Sequence, residues 1–194
     1  MYGHPADDHG RTPPVGSPAG CKTLPREGLV VIGGVMKVNV YVDGFNLYYG
    51  ALKGQPYRWL DLEKFARGLL HPSDSVHRVR YFTARVKPTA YDVDAPTRQA
   101  SYLRALSTLP SVSIHYGQFL ASVARMPKAD GTGLVQVMKT EEKGSDVNLA
   151  THLLLDASVG DFETALVVTN DSDLCEPIRQ VRLRFDLPRL SRVS

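Results

Sequence analysis

Short apolar segments recur along the chain and predict a mixed α/β domain. Residues 38–42 (VNVYV) and 165–169 (ALVVT) are rich in β-branched residues, as strands are. The second segment is continuously apolar, which is typical of a strand buried on both faces of a parallel sheet. Further strands are predicted over 76–86, 112–120 and 134–138.

Helical spacing of apolar residues predicts helices between these strands. Asp61 can cap a helix that continues to Leu69, and Pro96 suits the first turn of a second helix. Two more helices are predicted over 145–157 and 174–185. Because strands alternate with helices, the expected fold is a three-layer α/β/α domain with a mostly parallel central sheet.

The first 35 residues lack this pattern. Residues 1–28 are rich in Pro, Gly, Asp and Ser and cannot bury enough apolar surface to offset the entropy of ordering, so disorder is predicted there. Met36 directly precedes the first strand and is an alternative start of the protein. We therefore expect a disordered extension over 1–35 and one domain over 36–194, in which 187–193 leave room for a short strand at most.

Composition narrows the class of protein. Of 194 residues, 43% are hydrophobic and 22% are charged, which excludes collagen, a membrane bundle and a wholly disordered chain. The net charge of +3 does not by itself indicate nucleic-acid binding. Two cysteines cannot form a disulfide framework, so a reducing, cytoplasmic location is expected.

Acidic residues follow the predicted strands where ligands usually bind. In open parallel sheets, that place is the carboxyl edge, and Asp43, Asp171 and Asp173 follow two such strands. Asp146 lies at the start of a predicted helix and can point to the same edge. Each acid also has an ordinary structural explanation: a turn for Asp43, a helix cap for Asp146, and a capping box for Asp173. That explanation is weakest for Asp171.

Four converging carboxylates would repel one another without a cation. Magnesium and manganese prefer oxygen ligands, and magnesium keeps several waters, so a few carboxylates suffice to bind it. Two such ions would permit phosphodiester hydrolysis by an activated water. The six histidines show no ligand spacing, so zinc is not expected.

Three segments resemble the motifs of the NYN domain, a bacterial branch of the PIN-like nucleases. They are 40–48 (VYVDGFNLY), 142–147 (EKGSDV) and 168–174 (VTNDSDL), in the order of the family. The resemblance covers about residues 36–185 and implies a PIN-like (Rossmann-like) fold with a metal-dependent nuclease activity. The family usually has a further strand after the helix that follows the third motif, and this chain is short of it.

The resemblance also implies roles for individual residues. Asp43, Asp146, Asp171 and Asp173 would be the catalytic, metal-binding cluster for Mg²⁺ or Mn²⁺. Asn46 would orient Asp43 or a phosphate. Lys143 would contact a substrate phosphate.

The expected function is therefore a metal-dependent phosphodiester hydrolase, specifically an Mg²⁺- or Mn²⁺-dependent ribonuclease that acts on single-stranded RNA. The alternative is a non-catalytic or regulatory nucleic-acid-binding module with a degenerate metal site. A phosphatase of the Asp-x-Asp type is disfavoured, because no second acid follows Asp43 at the required spacing. The sequence leaves open whether the chain forms a homodimer or has a protein regulator.

Overall fold

The computed structural model describes residues 36–185 and 190–193. The predicted disorder of 1–35 lies outside the described residues. Within them, the strands are β1 (Lys37–Asp43), β2 (Ser75–Thr83), β3 (Val112–Tyr116), β4 (Gln118–Pro127), β5 (Leu134–Lys143), β6 (Thr164–Val168) and β7 (Leu190–Val193). The α-helices are α1 (Gly44–Leu47), α2 (Leu62–Leu69), α3 (Ala95–Leu106), α4 (Ser145–Ser158) and α5 (Cys175–Arg184). A π-helical turn (Tyr48–Leu52) continues α1, and a 3-10 turn (Ser172–Leu174) precedes α5.

The central sheet is parallel and has the strand order β3-β2-β1-β6-β7. β1 lies in the middle, with β2 on one side and β6 on the other. β2 and β3 are therefore added on one side of β1, and β6 and β7 on the other. The segments that follow β1 and β6 diverge at this change of direction and leave a crevice at the carboxyl ends of the two strands.

Helices cover both faces of this sheet, and the alternation of side chains along β1 explains why. Val38, Val40 and Val42 point to one face, where they pack against α2 and α3. Tyr41 points to the other face and packs against α4 and α5. Because successive side chains of a strand point in opposite directions, one strand contributes to two cores. The predicted three-layer α/β/α fold is confirmed.

A buried ion pair joins α4 to the sheet. Arg80 of β2 donates two hydrogen bonds of 2.7 Å to the Asp156 carboxylate, and the Tyr41 hydroxyl donates a third of 2.7 Å. Burial, followed by the bond to Asp156, raises the pKa of Tyr41, so its hydroxyl stays protonated and donates. These bonds satisfy both carboxylate oxygens inside the second core.

Two strand predictions differ from the structure. The strand expected over 112–120 divides at Gly117 into β3, which joins the central sheet, and β4, which does not. β4 pairs instead with β5 in an antiparallel hairpin, and β5 extends to Lys143, beyond the predicted 134–138. A Cβ at position 117 would lie 2.6 Å from the Lys143 carbonyl oxygen, so the chain can pass there only with glycine.

After α5, β7 pairs in parallel with β6 at the edge of the sheet. The sequence allowed a short strand in this region, and β7 has 4 residues. No helix of the described residues is long and apolar enough to cross a membrane.

Candidate functional site

A cleft of about 470 Å³ opens at the carboxyl ends of β1 and β6. Its walls come from α1, the end of β5, the first turn of α4 and the loop after β6. The lining residues are Asp43, Phe45, Asn46, Glu142, Lys143, Gly144, Ser145, Asp146, Val147 and Asp171. The three segments that carry the family resemblance therefore meet at one place, although Asp43 of the first and Asp171 of the third are 128 positions apart in sequence (171 − 43).

Asp43 is the most buried acid of the cleft, with 6% of its surface exposed. It is the N-cap of α1 and accepts a 3.0 Å hydrogen bond from the backbone amide of Asn46. The Asn46 side chain donates to its other oxygen at 2.5 Å, and the Thr169 hydroxyl donates to that oxygen at 3.3 Å. Of the two roles considered for Asn46, the contacts of the described residues support the orientation of Asp43.

Gly44 permits the sharp entry from β1 into α1. A Cβ at this position would lie 2.6 Å from the Tyr81 ring and 2.8 Å from the Phe82 carbonyl oxygen. Burial raises the pKa of Tyr81, and the neighbouring Tyr102 and Asp43 raise it further. Tyr81 therefore remains a neutral phenol beneath the cleft.

Asp171 and Asp173 follow β6 but differ in position. Asp171 lines the cleft and caps the 3-10 turn, since its carboxylate accepts a 2.9 Å hydrogen bond from the Asp173 amide. The Thr169 hydroxyl in turn accepts from the Asp171 amide at 3.0 Å. Asp173 is exposed and is not among the lining residues. The sequence pattern predicted that Asp173 caps the following helix and that a purely structural role is least expected for Asp171. In the structure, the capping residue is Asp171.

Asp146 lies in the first turn of α4 and lines the cleft, but it is not the helix cap. Gly144 occupies the N-cap position with a φ of 94°, a left-handed conformation that glycine adopts without strain. The first amide of the helix, that of Ser145, donates a 3.2 Å hydrogen bond to Glu142. Glu142 was not among the predicted site residues; its place just before the Lys-Gly-Ser-Asp segment was the available signal.

Lys143 is the cation of the cleft lining. Its side chain is 55% exposed, and its ammonium lies 3.4 Å from the Glu141 carboxylate. An exposed lysine paired this loosely can turn to an anionic group of a ligand at little cost, because exposed ion pairs contribute ~0–1 kcal/mol. It lies at the rim, whereas Asp43 lies deep.

The predicted cluster of four metal-binding carboxylates does not form as expected. Asp43, Asp146 and Asp171 share the cleft, but Asp173 lies outside its lining. No three His, Cys, Asp or Glu side chains within 36–185 are grouped closely enough to hold a metal ion. The Asp43 oxygens already accept three hydrogen bonds from Asn46 and Thr169. The binding of Mg²⁺ or Mn²⁺ by these residues therefore stays a prediction.

The cleft nevertheless has a definite chemical character. Its lining contains four carboxylates and one ammonium group, next to the ring of Phe45. Such a surface accepts hydrogen bonds from N–H and O–H groups of a ligand, and it can take a proton from an acidic one. Its volume suits a small molecule, since ligand sites are typically about 300–1,000 Å³.

Comparison with known proteins gives one similar sequence of named activity. The chain is 30% identical over 179 residues to the 6-hydroxy-3-succinoylpyridine 3-monooxygenase HspA of Pseudomonas putida. The match covers 78% of this chain and 57% of that protein, so the chain spans little more than half of its relative. No family model matches the chain.

Among solved structures, the chain resembles a protein of unknown function from Vibrio parahaemolyticus. The TM-score is 0.51 at 14% sequence identity, over 82% of this chain and 94% of that one. This similarity supports the fold alone. The names of these two proteins do not indicate an NYN domain, and the resemblance to that family stays a prediction.

The relative corrects the predicted enzyme class. A monooxygenase is an oxidoreductase, and this conflicts with the predicted Mg²⁺- or Mn²⁺-dependent ribonuclease, which is therefore wrong. The physical reason is that carboxylates at the edge of a parallel sheet are not specific to one reaction. The same fold and the same edge serve many chemistries, and the groups around them decide which one operates.

Proposed function

We propose that this chain carries the substrate-binding cleft of an oxidoreductase that hydroxylates a small nitrogen-containing aromatic ring. The observation that carries the proposal is the 30% identity to an enzyme named for such a reaction, over 78% of this chain. The cleft at the ends of β1 and β6 supports it by its size and by its mixture of carboxylates, one ammonium group and one aromatic ring.

The charges of the cleft suit the two ends of such a substrate. A hydroxypyridine bears a ring nitrogen and a hydroxyl group, and one tautomer carries an N–H. Asp146 and Asp171 can accept hydrogen bonds from these groups. Removing the ring proton makes the ring more electron-rich and so more reactive toward an electrophilic oxygen species. Lys143 at the rim suits a carboxylate on the side chain of the ring.

The reaction class sets what an assay must supply. A monooxygenation uses two electrons to place one atom of dioxygen in the product and to reduce the other to water. Because C3 of this pyridine carries the succinoyl group, a new C–O bond there replaces the C–C bond, and hydrolysis by water releases the acyl group as succinate. The test therefore incubates the protein with 6-hydroxy-3-succinoylpyridine, ¹⁸O₂ and a reduced nicotinamide or flavin as electron donor. We expect one ¹⁸O atom in the pyridine product, detected by mass spectrometry. A protein that neither binds this pyridine in calorimetry nor yields labelled product would disprove the proposal.

Two variants connect the activity with the cleft. Asp146→Asn and Asp171→Asn each remove a proton acceptor, and we expect turnover to fall at least about tenfold, as for loss of general-base catalysis. Asparagine caps helices as well as aspartate does, so Asp171→Asn preserves the turn after β6. Asp92→Asn, on an exposed residue that pairs with Arg98, is the matched control and should leave turnover unchanged.

A second candidate function is nucleic-acid binding without cleavage. It is favoured by the meeting of the three NYN-like segments at one cleft and by the exposed ammonium of Lys143. A labelled single-stranded RNA of twelve nucleotides and the matching DNA test it by fluorescence anisotropy, in Mg²⁺ and in EDTA. Lys143→Ala should weaken binding, and Lys128→Ala, in the exposed turn of the hairpin, should not. RNA binding without oxygenation would favour this candidate.

The cytoplasmic location stays a prediction.

A further inference from the structure

The β4–β5 hairpin meets the cleft through the last two residues of β5, Glu142 and Lys143. Phe119 of β4 lies directly opposite Glu142. Glu142 lines the cleft and caps α4 through the Ser145 amide. The ring of Phe119 contacts that of Phe45 edge-on, with centroids 5.7 Å apart and planes at 78°. The Phe119–Glu142 pair of the hairpin therefore supplies one residue of the cleft, Glu142, and contacts another, Phe45.

Phe45 is held on a second side by Tyr49. The two rings are nearly parallel, at 17°, with centroids 6.3 Å apart. Phe45 is only partly buried and is not part of either core, although its neighbour Leu47 is. An aromatic ring outside the core, oriented by two others and lining a cleft, is a prepared surface for another ring.

We infer that Phe45 is the face on which the planar ring of the substrate lies, and that Phe119 and Tyr49 are the residues that position it. The inference rests on the proposed function for the choice of ring, a hydroxypyridine. It adds that the hairpin contributes to substrate specificity, since Phe119 sets the orientation of Phe45 and Glu142 lines the same cleft.

The chemistry of ring stacking makes the inference specific to planar, unsaturated ligands. Aromatic pairs gain an interaction beyond their buried area because the charge distribution of each ring complements that of the other, which corresponds to about a two- to tenfold effect on affinity. A saturated ring of the same size has no such charge distribution and cannot lie flat. Both ligands offer a polar oxygen to the acceptors and a carboxylate to Lys143, and the pyridine adds only its ring N–H. Variants at Phe45 and Phe119 leave these polar groups unchanged, so a change in preference in the variants reports on stacking.

The experiment is calorimetric titration of the full chain with two probes of the same pattern. One is 6-hydroxypyridine-3-carboxylate, and the other is trans-4-hydroxycyclohexanecarboxylate, which keeps the opposed hydroxyl and carboxylate on a saturated ring. We expect the aromatic probe to bind about two- to tenfold more tightly. Phe45→Leu and Phe119→Leu should reduce this preference while affinity for the saturated probe is kept. Phe45→Tyr and Phe119→Tyr, which retain a ring, should preserve it.

Tyr91→Leu is the matched control, because this fully exposed aromatic residue should not affect either probe. Circular dichroism checks that each variant is folded. If Phe45→Leu does not fold, Phe119→Leu decides, since only a positioning role changes the preference between probes. Equal affinity of the wild type for both probes, absence of binding, or an unchanged preference in a folded leucine variant would overturn the inference.

The two proposals fail in different ways. Binding of the aromatic probe that depends on Phe45, without ¹⁸O incorporation, would leave the ring site established and the proposed reaction disproved. Incorporation of ¹⁸O in Phe45→Leu at the wild-type rate, with an unchanged preference between probes, would establish the reaction and reject the ring site.

Discussion

The Thr169 hydroxyl joins the ends of the two central strands by donating a 3.3 Å hydrogen bond to Asp43. The Thr169 hydroxyl oxygen also accepts a 3.0 Å hydrogen bond from the backbone amide of Asp171. Thr169 is 2% exposed, so water cannot take over these bonds. A single buried hydroxyl therefore holds two acids of the cleft at a set separation.

Replacing Thr169 by valine keeps the shape of the side chain and removes this link. We expect the free energy of unfolding to fall by about 1 kcal/mol or more, because the partly buried Asp171 amide loses its acceptor. Urea denaturation measures the change. Thr140→Val, at an exposed position of β5, is the control and should change stability by less than about 0.5 kcal/mol. Equal effects of both substitutions would contradict the link.

Breaking the Arg80–Asp156 pair should lower the free energy of unfolding by a larger amount. Asp156→Asn removes the charge that neutralises a buried guanidinium, and it exchanges an acceptor of the Tyr41 hydroxyl for an amide. Breaking a buried pair from one side costs about 3–5 kcal/mol, which we expect in chemical denaturation. Asp92→Asn breaks an exposed pair with Arg98 and should cost no more than about 1 kcal/mol. A small effect at position 156 would show that water reaches Arg80.

A side chain at position 44 should clash with the residues beneath the cleft and lower the stability of the protein. Gly44→Ala would place a Cβ 2.6 Å from the Tyr81 ring, and overpacking of this kind costs about 1–3 kcal/mol. Thermal denaturation measures the cost. Gly68→Ala is the matched control, because no atom lies within 4 Å of its Cβ, and alanine in a helix should be up to about 1 kcal/mol more stable than glycine. Stabilisation by both substitutions would contradict the close contact.

His115 predicts a dependence of stability on pH. Burial, the neighbouring His152 and the Arg80 guanidinium lower the pKa of His115 to about 4, from an ordinary 6.5, although Asp156 acts in the opposite direction. Burial and Arg80 lower the pKa of His152 as well. Between these values the unfolded chain binds a proton that the folded chain does not. The free energy of unfolding should therefore fall as the pH falls from 6.5 toward 4.

Urea denaturation at pH 7 and pH 5 measures this dependence. His115→Gln should reduce the loss of stability between the two values, because the residue no longer takes up a proton on unfolding. His71→Gln, at an exposed position, should leave it unchanged. An identical loss in wild type and His115→Gln would assign the pH dependence to other groups.

The architecture followed from local patterns in the sequence. The valines of 38–42 predicted a strand, and the apolar run of 165–169 predicted a strand buried on both faces; these segments form β1 and β6. Because carboxyl ends of parallel strands share an edge, this topology also predicted that Asp43 and Asp171 approach each other, and both line the cleft. Such patterns depend on a few neighbouring residues, so they can be read without the fold.

The tertiary structure alone decided which side chains complete and orient the site. The predicted strand of 112–120 gave no sign that it would divide at Gly117 and turn Phe119 toward Phe45. Glu142 became a residue of the cleft because the register of the hairpin placed it opposite Phe119 and next to α4. Strand register and contacts across layers depend on how distant segments pack together, and the local periodicity of a sequence does not contain that information.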